Sequence, residues 1–312
     1  MSADTHAQQR DEPADGEGGE ERGEAAWLRW HEGRLASVSA PYGPLSVTGT
    51  HWITEVGPPA TGTGTGAGSG TGLAAAVGDG PSAVEHGRIE GVPGQWTLEA
   101  DGGGVLLEAH VSDGLAVDGE LLTGRVLLTE DGGPPASSRV SYGERRLVLM
   151  RREDQWAVRV FDPDSALRRV FAGIDVFPYD PARVVSGTYR PYAGGEHSVR
   201  VGNADGRERG LGLDGELGFA GPDGAEHTLR VSRVEGGGLW AVLADGTSGV
   251  SSYRFRFLYT EAPAAYGAVT VDFNRITLPP CAFTDHFLCP LPPPGNTLPF
   301  ALPAGERGLA GH

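Results

Sequence analysis

Two cysteines, Cys281 and Cys289, are the only thiols in the chain, with Asp285 and His286 between them. Thiols at this spacing have three uses. They can stay reduced and buried, they can close a short loop as a disulfide or redox pair, or they can join His286 and Asp285 around a metal. Buried reduced thiols are the expectation for a cytoplasmic chain, and no metal or cofactor is assigned. A second group is polar. In an extended 252–259 segment, Tyr253, Phe255, Phe257 and Tyr259 point one way and Arg254, Arg256 and Leu258 the other. A returning strand puts Val269, Val271 and Phe273 on one face and Thr270, Asp272 and Asn274 on the other. If the two oily faces share a core, Arg254 and Arg256 meet Asp272 and Asn274. Arg159, which alternates with Val158 and Val160, either pairs with Asp162 or joins that cluster. An Arg256–Asp272 cross-strand ion pair that fixes register is then expected. The functional counterpart is a pocket whose guanidinium forks bind a small polar or anionic ligand.

Other motifs fall away on context. Gly210, Gly212 and Gly215 match G-x-G-x-x-G, but the charged run 207–209 precedes them and Gly- and Pro-rich sequence follows, so neither the strand nor the helix of a dinucleotide site is expected. The alternating glycines from Gly62 to Gly72 have the wrong spacing for a phosphate loop, and 57–80 reads as a mobile insertion. There is no G-x-S-x-G elbow and no H-E-x-x-H. All 25 basic residues are arginine, which removes P-loop and Schiff-base lysine chemistry.

The formal charge is −16 over 312 residues. Such a surface repels DNA and anionic lipid, so neither nucleic acid nor membrane is expected as a partner. Residues 1–24 carry eight acids and two arginines, a net −6, with almost no large apolar side chain, and read as a disordered acidic tail. They have no signal-peptide pattern. The longest apolar run is six residues, 239–244, far from the roughly 20 of a spanning helix. A soluble, cytoplasmic protein follows.

The elements that must position these side chains are mostly strands. One amphipathic helix is expected over 25–37, its tryptophans packing on the first sheet, and Pro41 and Pro44 end it. An extended segment follows at 45–53. Alternating segments then recur from 95 to 274, separated by eight Asp-Gly pairs that predict antiparallel hairpins. One helical turn is expected near 164–171. The fold class is antiparallel all-β, a sandwich or barrel, led by a short helix. Eight of the 23 prolines lie within 279–303 and make 272–306 a stiff extended wrap. The division expected is a tail over 1–24, a helix plus β region over 25–140 and a second β region over 141–312.

The last of these regions carries a resemblance. Asp272-Phe273-Asn274, Pro279-Pro280-Cys281-Ala282-Phe283-Thr284, Cys289-Pro290-Leu291-Pro292-Pro293, Asn296 and Ala304-Gly305-Glu306 resemble the signature of a bacterial family catalogued as domain of unknown function 1684. Asp245–Gly249 with Ser252-Tyr253 resembles its DxTSG…TY segment, Arg159–Asp162 its RVxD and Gly43–Trp52 its N-terminal motif. Where the family often has glycine before arginine, this chain has Phe255 before Arg256, which narrows the space above that strand. The resemblance implies membership and no activity. The reading is therefore a non-catalytic module binding a small polar or anionic ligand or a protein partner. A hydrolase built on 252–274, with Asp272 or His286 as base and Arg256 stabilising developing charge, is the alternative, and whether the chain is an enzyme stays open.

Overall fold

A computed structural model describes residues 15–53, 82–84, 87–195 and 197–311, without the side chains of 15–22 and 82–84. The expected insertion at 57–80 and the first 14 residues of the expected tail lie outside them. Mostly antiparallel sheets make up the described chain, with two α-helices, α1 (Asp15–Val38) and α2 (Ala166–Val170). The expected fold class is thus the observed one. α1 begins ten residues before the expected helix start.

Seven strands form the first sheet, in the order Ser82–Val84, Val47–Ile53, Gln155–Phe161, Arg145–Arg152, Val140–Tyr142, Leu115–Val117, Glu120–Leu121. It packs on a three-stranded sheet of Gln95–Leu98, Val105–Ala109 and Gly124–Leu128. Between them lie Ile53, Trp96, Leu107, Leu128, Leu147, Leu149, Val158 and Val160. The strands at 145–161 pair with this sheet, so the expected division near 140 falls inside it.

The second large sheet runs Arg256–Thr260, Leu239–Leu243, Glu226–Arg233, Gly215–Ala220, Val184–Pro191, Ala268–Asp272. It curls towards a barrel. Its first strand meets the chain beyond its last through Phe257 and Thr277, each N–H bonding the other's carbonyl at 2.9 Å. Leu217, Leu229, Val231, Leu243, Leu258 and Val271 fill it, and the wrap adds Ile276, Leu298 and Leu302.

This order corrects the late hairpin. Arg256–Thr260 and Ala268–Asp272 lie at opposite edges of the sheet and do not pair as a hairpin, because Ala268–Asp272 pairs with Val184–Pro191 instead. The expected Arg256–Asp272 contact is therefore absent. The strands Glu208–Leu213 and Gly215–Ala220 are a second correction, since they form where none was expected. No helix accompanies the Gly210–Gly215 motif. Of the eight Asp-Gly pairs, all in described residues, four (101–102, 118–119, 205–206, 223–224) turn a hairpin. There the glycine is left-handed, as at Gly206 (φ 79°) and Gly224 (φ 76°). At Asp214-Gly215 the chain instead steps from a two-stranded ribbon into the barrel sheet.

No helix among the described residues is long and apolar enough to cross a membrane. α1 lies against the barrel and wrap rather than on the first sheet. Trp27 Nε1 donates to the Asn274 carbonyl at 2.8 Å, and Val38 packs with Leu278 and Phe283.

A buried polar plug, an arginine-lined cleft and a dithiol

The sequence-predicted polar residues are dispersed. Arg256 alternates with Leu258, so its guanidinium enters the oily end of the barrel, where it is fully buried. Its Nη2 donates to Asp245 Oδ2 at 2.7 Å and to the Leu302 carbonyl at 2.9 Å. Nη1 donates to the carbonyls of Ala304 at 2.5 Å and Glu306 at 3.1 Å. Asp245 Oδ1 accepts from Thr247 N and Oγ1, both at 2.7 Å, and from Leu302 N at 3.0 Å. Burial opposes the charged form of Asp245, but the Arg256 charge and the Thr247 bonds outweigh it, and the carboxyl lies below its ordinary range. A buried charge pair needs its remaining lone pairs and protons satisfied, and the returning wrap supplies partners for both Nη atoms and for Asp245 Oδ1, leaving only Arg256 Nε without one.

The same wrap is fixed at three further points. Asn296, fully buried, bonds Arg230 N and O at 2.8 and 2.9 Å and the Val242 carbonyl at 2.8 Å, as a strand would. Glu306, also fully buried, accepts from Leu278 N at 2.6 Å and from Arg34 Nε and Nη2 of α1 at 2.8 and 3.2 Å. Gly305 lies so close that a Cβ would come within 2.5 Å of the Ile276 carbonyl. Asn274 bridges Asp180 N and O at 3.0 Å. Asp272 caps Asn274 N at 3.0 Å and pairs with Arg275 at 3.1 Å. Asp272 and Asn274 thus shape a turn, which corrects their assignment to a shared pocket with Arg256. The hydrolase arrangement loses its footing as well, since Arg256 is committed to Asp245 and the hairpin that was to carry it does not form.

Arg159 sits elsewhere, at the joint between the two large sheets. Its guanidinium lies 4.6 Å from the Phe287 ring centroid, and Nε donates to Thr50 Oγ1 at 3.0 Å. Burial, with the nearby Arg152 charge, lowers its pKa to about 10. Thr50 Oγ1 donates in turn to the His286 carbonyl at 2.8 Å. Neighbouring His51 is held below its ordinary value by burial and by His286.

A cleft of about 460 Å³ opens between α1 and the barrel. Trp30 and Arg34 of α1 face it from one side, Tyr259, Glu261, Arg275 and Phe283 from the barrel and wrap. Both arginines are held by carboxylates, Arg34 by Glu306 and Arg275 by Asp272. Sequence reasoning missed this site because its parts lie far apart along the chain. The helical spacing of Trp30 and Arg34 was the available signal. A larger cleft of about 540 Å³ lies on the three-stranded sheet, where Glu108 and Asp113 face the single arginine Arg88.

Cys281 and Cys289 are buried and not joined by a disulfide, in a cage with Val242, Phe255, Phe257 and Phe287. Cys281 N donates to Cys289 Sγ at 3.3 Å. Tyr253 Oη donates to the Cys281 carbonyl at 3.1 Å and stands 3.7 Å from its Sγ. The hydrogen bond from Cys289 outweighs burial and, with Tyr253 and Arg254, lowers the Cys281 thiol to about 7. The same bond and burial push Cys289 up, and burial pushes Tyr253 up to about 12. Arg254 therefore belongs with the thiols, 5.3 Å from the Phe255 ring. No group of three or more metal-ligating side chains occurs among the described residues, so His286 and Asp285 do not join the cysteines around a common centre.

A family model described as "Protein of unknown function (DUF1684)" matches residues 169–307. That segment holds the barrel, the wrap and the thiols, while the resemblances at Gly43–Trp52 and Arg159–Asp162 fall outside it. Among solved structures, the chain is similar to the solution NMR structure of an uncharacterized protein of Haloarcula marismortui. It is 32% identical over 46% of this chain and 81% of that one, with a TM-score of 0.38. No curated protein matches the chain.

Proposed function

The chain belongs to the DUF1684 family through residues 169–307, and from there we propose that it is a non-catalytic binding module taking a small planar ligand with an anionic group in the cleft between α1 and the barrel. The observation that carries this reading is the pair of oriented guanidiniums on an aromatic wall. Glu306 engages Nε and Nη2 of Arg34, and Nη1 takes part in neither bond. An arginine held by a buried carboxylate loses less side-chain entropy when a ligand arrives than a free one does. Trp30, Tyr259 and Phe283 supply flat apolar contact, and Glu261 on the rim disfavours ligands of excess negative charge.

Titration with benzoate, followed by tryptophan fluorescence and calorimetry, tests the reading, with benzamide as the uncharged control. Saturable binding that prefers benzoate is expected. Arg275→Ala should weaken it roughly ten- to a hundredfold, the worth of one charged hydrogen bond of about 1.5–3 kcal/mol. Equal binding of the two probes, or binding indifferent to Arg275, would refute it.

A further inference from the structure

We propose that Cys281 and Cys289 form a dithiol oxidised by hydroperoxides, in which Cys281 reacts first and Cys289 closes a disulfide. The thiols lie behind the Phe257 and Pro280 wall of the cleft, but the proposal does not depend on the reading given to the cleft.

Position assigns the two roles. Cys281 Sγ has the Tyr253 hydroxyl 3.7 Å away and the Arg254 guanidinium beside it, a polar and cationic side on which a thiolate is stabilised. Both thiols lie in the aromatic cage, and the Cys289 sulfur rests on the Cys281 amide at 3.3 Å. The second sulfur therefore stands ready at the first residue. The charged and titratable groups acting on the pair are Tyr253 and Arg254 on Cys281, and Arg159 and Tyr259 on Cys289.

The chemistry balances. The Cys281 thiolate attacks one peroxide oxygen, so an S–O bond forms and the O–O bond breaks. The departing alkoxide or hydroxide takes up the proton that Cys281 released. The Cys289 thiol then attacks the sulfenic sulfur, an S–S bond forms, the S–O bond breaks, and water leaves with the Cys289 proton. Two thiols and one hydroperoxide give one disulfide, one alcohol or water, and one water.

The loop thus closed is the joint between the sheets. His286 accepts from Thr50, Phe287 lies against Arg159 and Leu288 packs with Trp52, Met150 and Ala157. Asn203 Nδ2 donates to the Leu288 carbonyl at 3.0 Å and Ala204 N to that of Cys289 at 2.8 Å. A disulfide across its ends would fix a segment that touches both halves of the protein.

The test is hydrogen peroxide treatment of the full chain, followed by thiol counting, intact mass and peptide mapping. Both thiols should disappear together, with the loss of two hydrogens per monomer and reversal by dithiothreitol. In Cys289→Ser, dimedone should label Cys281, whereas Cys281→Ser should give no label at Cys289. Limited alkylation of the untreated wild-type protein at pH 7 should modify Cys281 more than about tenfold faster than Cys289, which keeps the test informative if either variant misfolds. Two thiols surviving in the folded protein under peroxide that oxidises the denatured chain, a disulfide between monomers, or Cys289 reacting first would each overturn the proposal.

Discussion

The first sheet and the barrel bury different kinds of material. Between the first sheet and its three-stranded partner the interior is hydrocarbon, from Ile53 through Trp96 and Leu107 to Val160. The ion pairs there, Arg125–Glu108 and Arg145–Asp162, lie at the surface or half exposed. At the end of the barrel, Arg256, Asp245, Glu306, Asn274 and Asn296 are all buried, and each bonds a segment distant in sequence. An oily core tolerates many exchanges of similar volume. A buried polar group accepts only the partner it was built around. The difference teaches that the barrel end uses polar groups to settle where a stiff, proline-rich wrap must lie, a task that hydrocarbon contact alone does poorly.

Shape-conserving substitutions can break that comparison. Arg256→Met keeps much of the side-chain volume yet leaves Asp245 charged and unpaired in the interior. A loss of about 3–5 kcal/mol is expected in chemical denaturation. The same type of change in the other core, Leu107→Met, should cost less than about 1.5 kcal/mol. Arg125→Ala, which removes an exposed ion pair, should cost less than about 1 kcal/mol. If Arg256→Met were as mild as Leu107→Met, the contrast between the regions would collapse.

Acid sharpens it further. The folded-state pKa of Asp245 lies below its ordinary value, so its contribution is complete above the unfolded carboxyl range and is lost as pH falls through the depressed folded value. Thermal melts across the acid range should show a stability loss that is smaller in Asp245→Asn, whose side chain does not titrate. Parallel acid profiles for the two proteins would place the acid sensitivity elsewhere.

Much of the strand pattern was legible because alternation and Asp-Gly turns are local signals. The pairing of those strands was not. Asp101-Gly102 and Asp214-Gly215 look alike in sequence, but one turns a hairpin and the other carries the chain between sheets. The strand at Glu208–Leu213 hid behind its charges, since Arg209 is buried through a 2.7 Å pair with Asp205 and lies over Trp52. Its alternation with Leu211 and Leu213 was the overlooked sign. Arg256 and Leu258 alternate as the sequence predicts, but the face they share is not an open polar one, because both faces of that strand are buried. The dithiol was visible from composition alone, and Tyr253 and Arg254 became its neighbours only through the fold.

The most direct measurement is a double-mutant cycle on Asp245 and Arg256, read by equilibrium unfolding. Asp245→Leu and Arg256→Met should each be strongly destabilising, and the double variant should lose clearly less than the sum of the two, because neither charge is then left alone in the interior, although the carbonyls of Leu302, Ala304 and Glu306 stay unpaired. Small effects that simply add would mean that this buried pair does not hold the wrap.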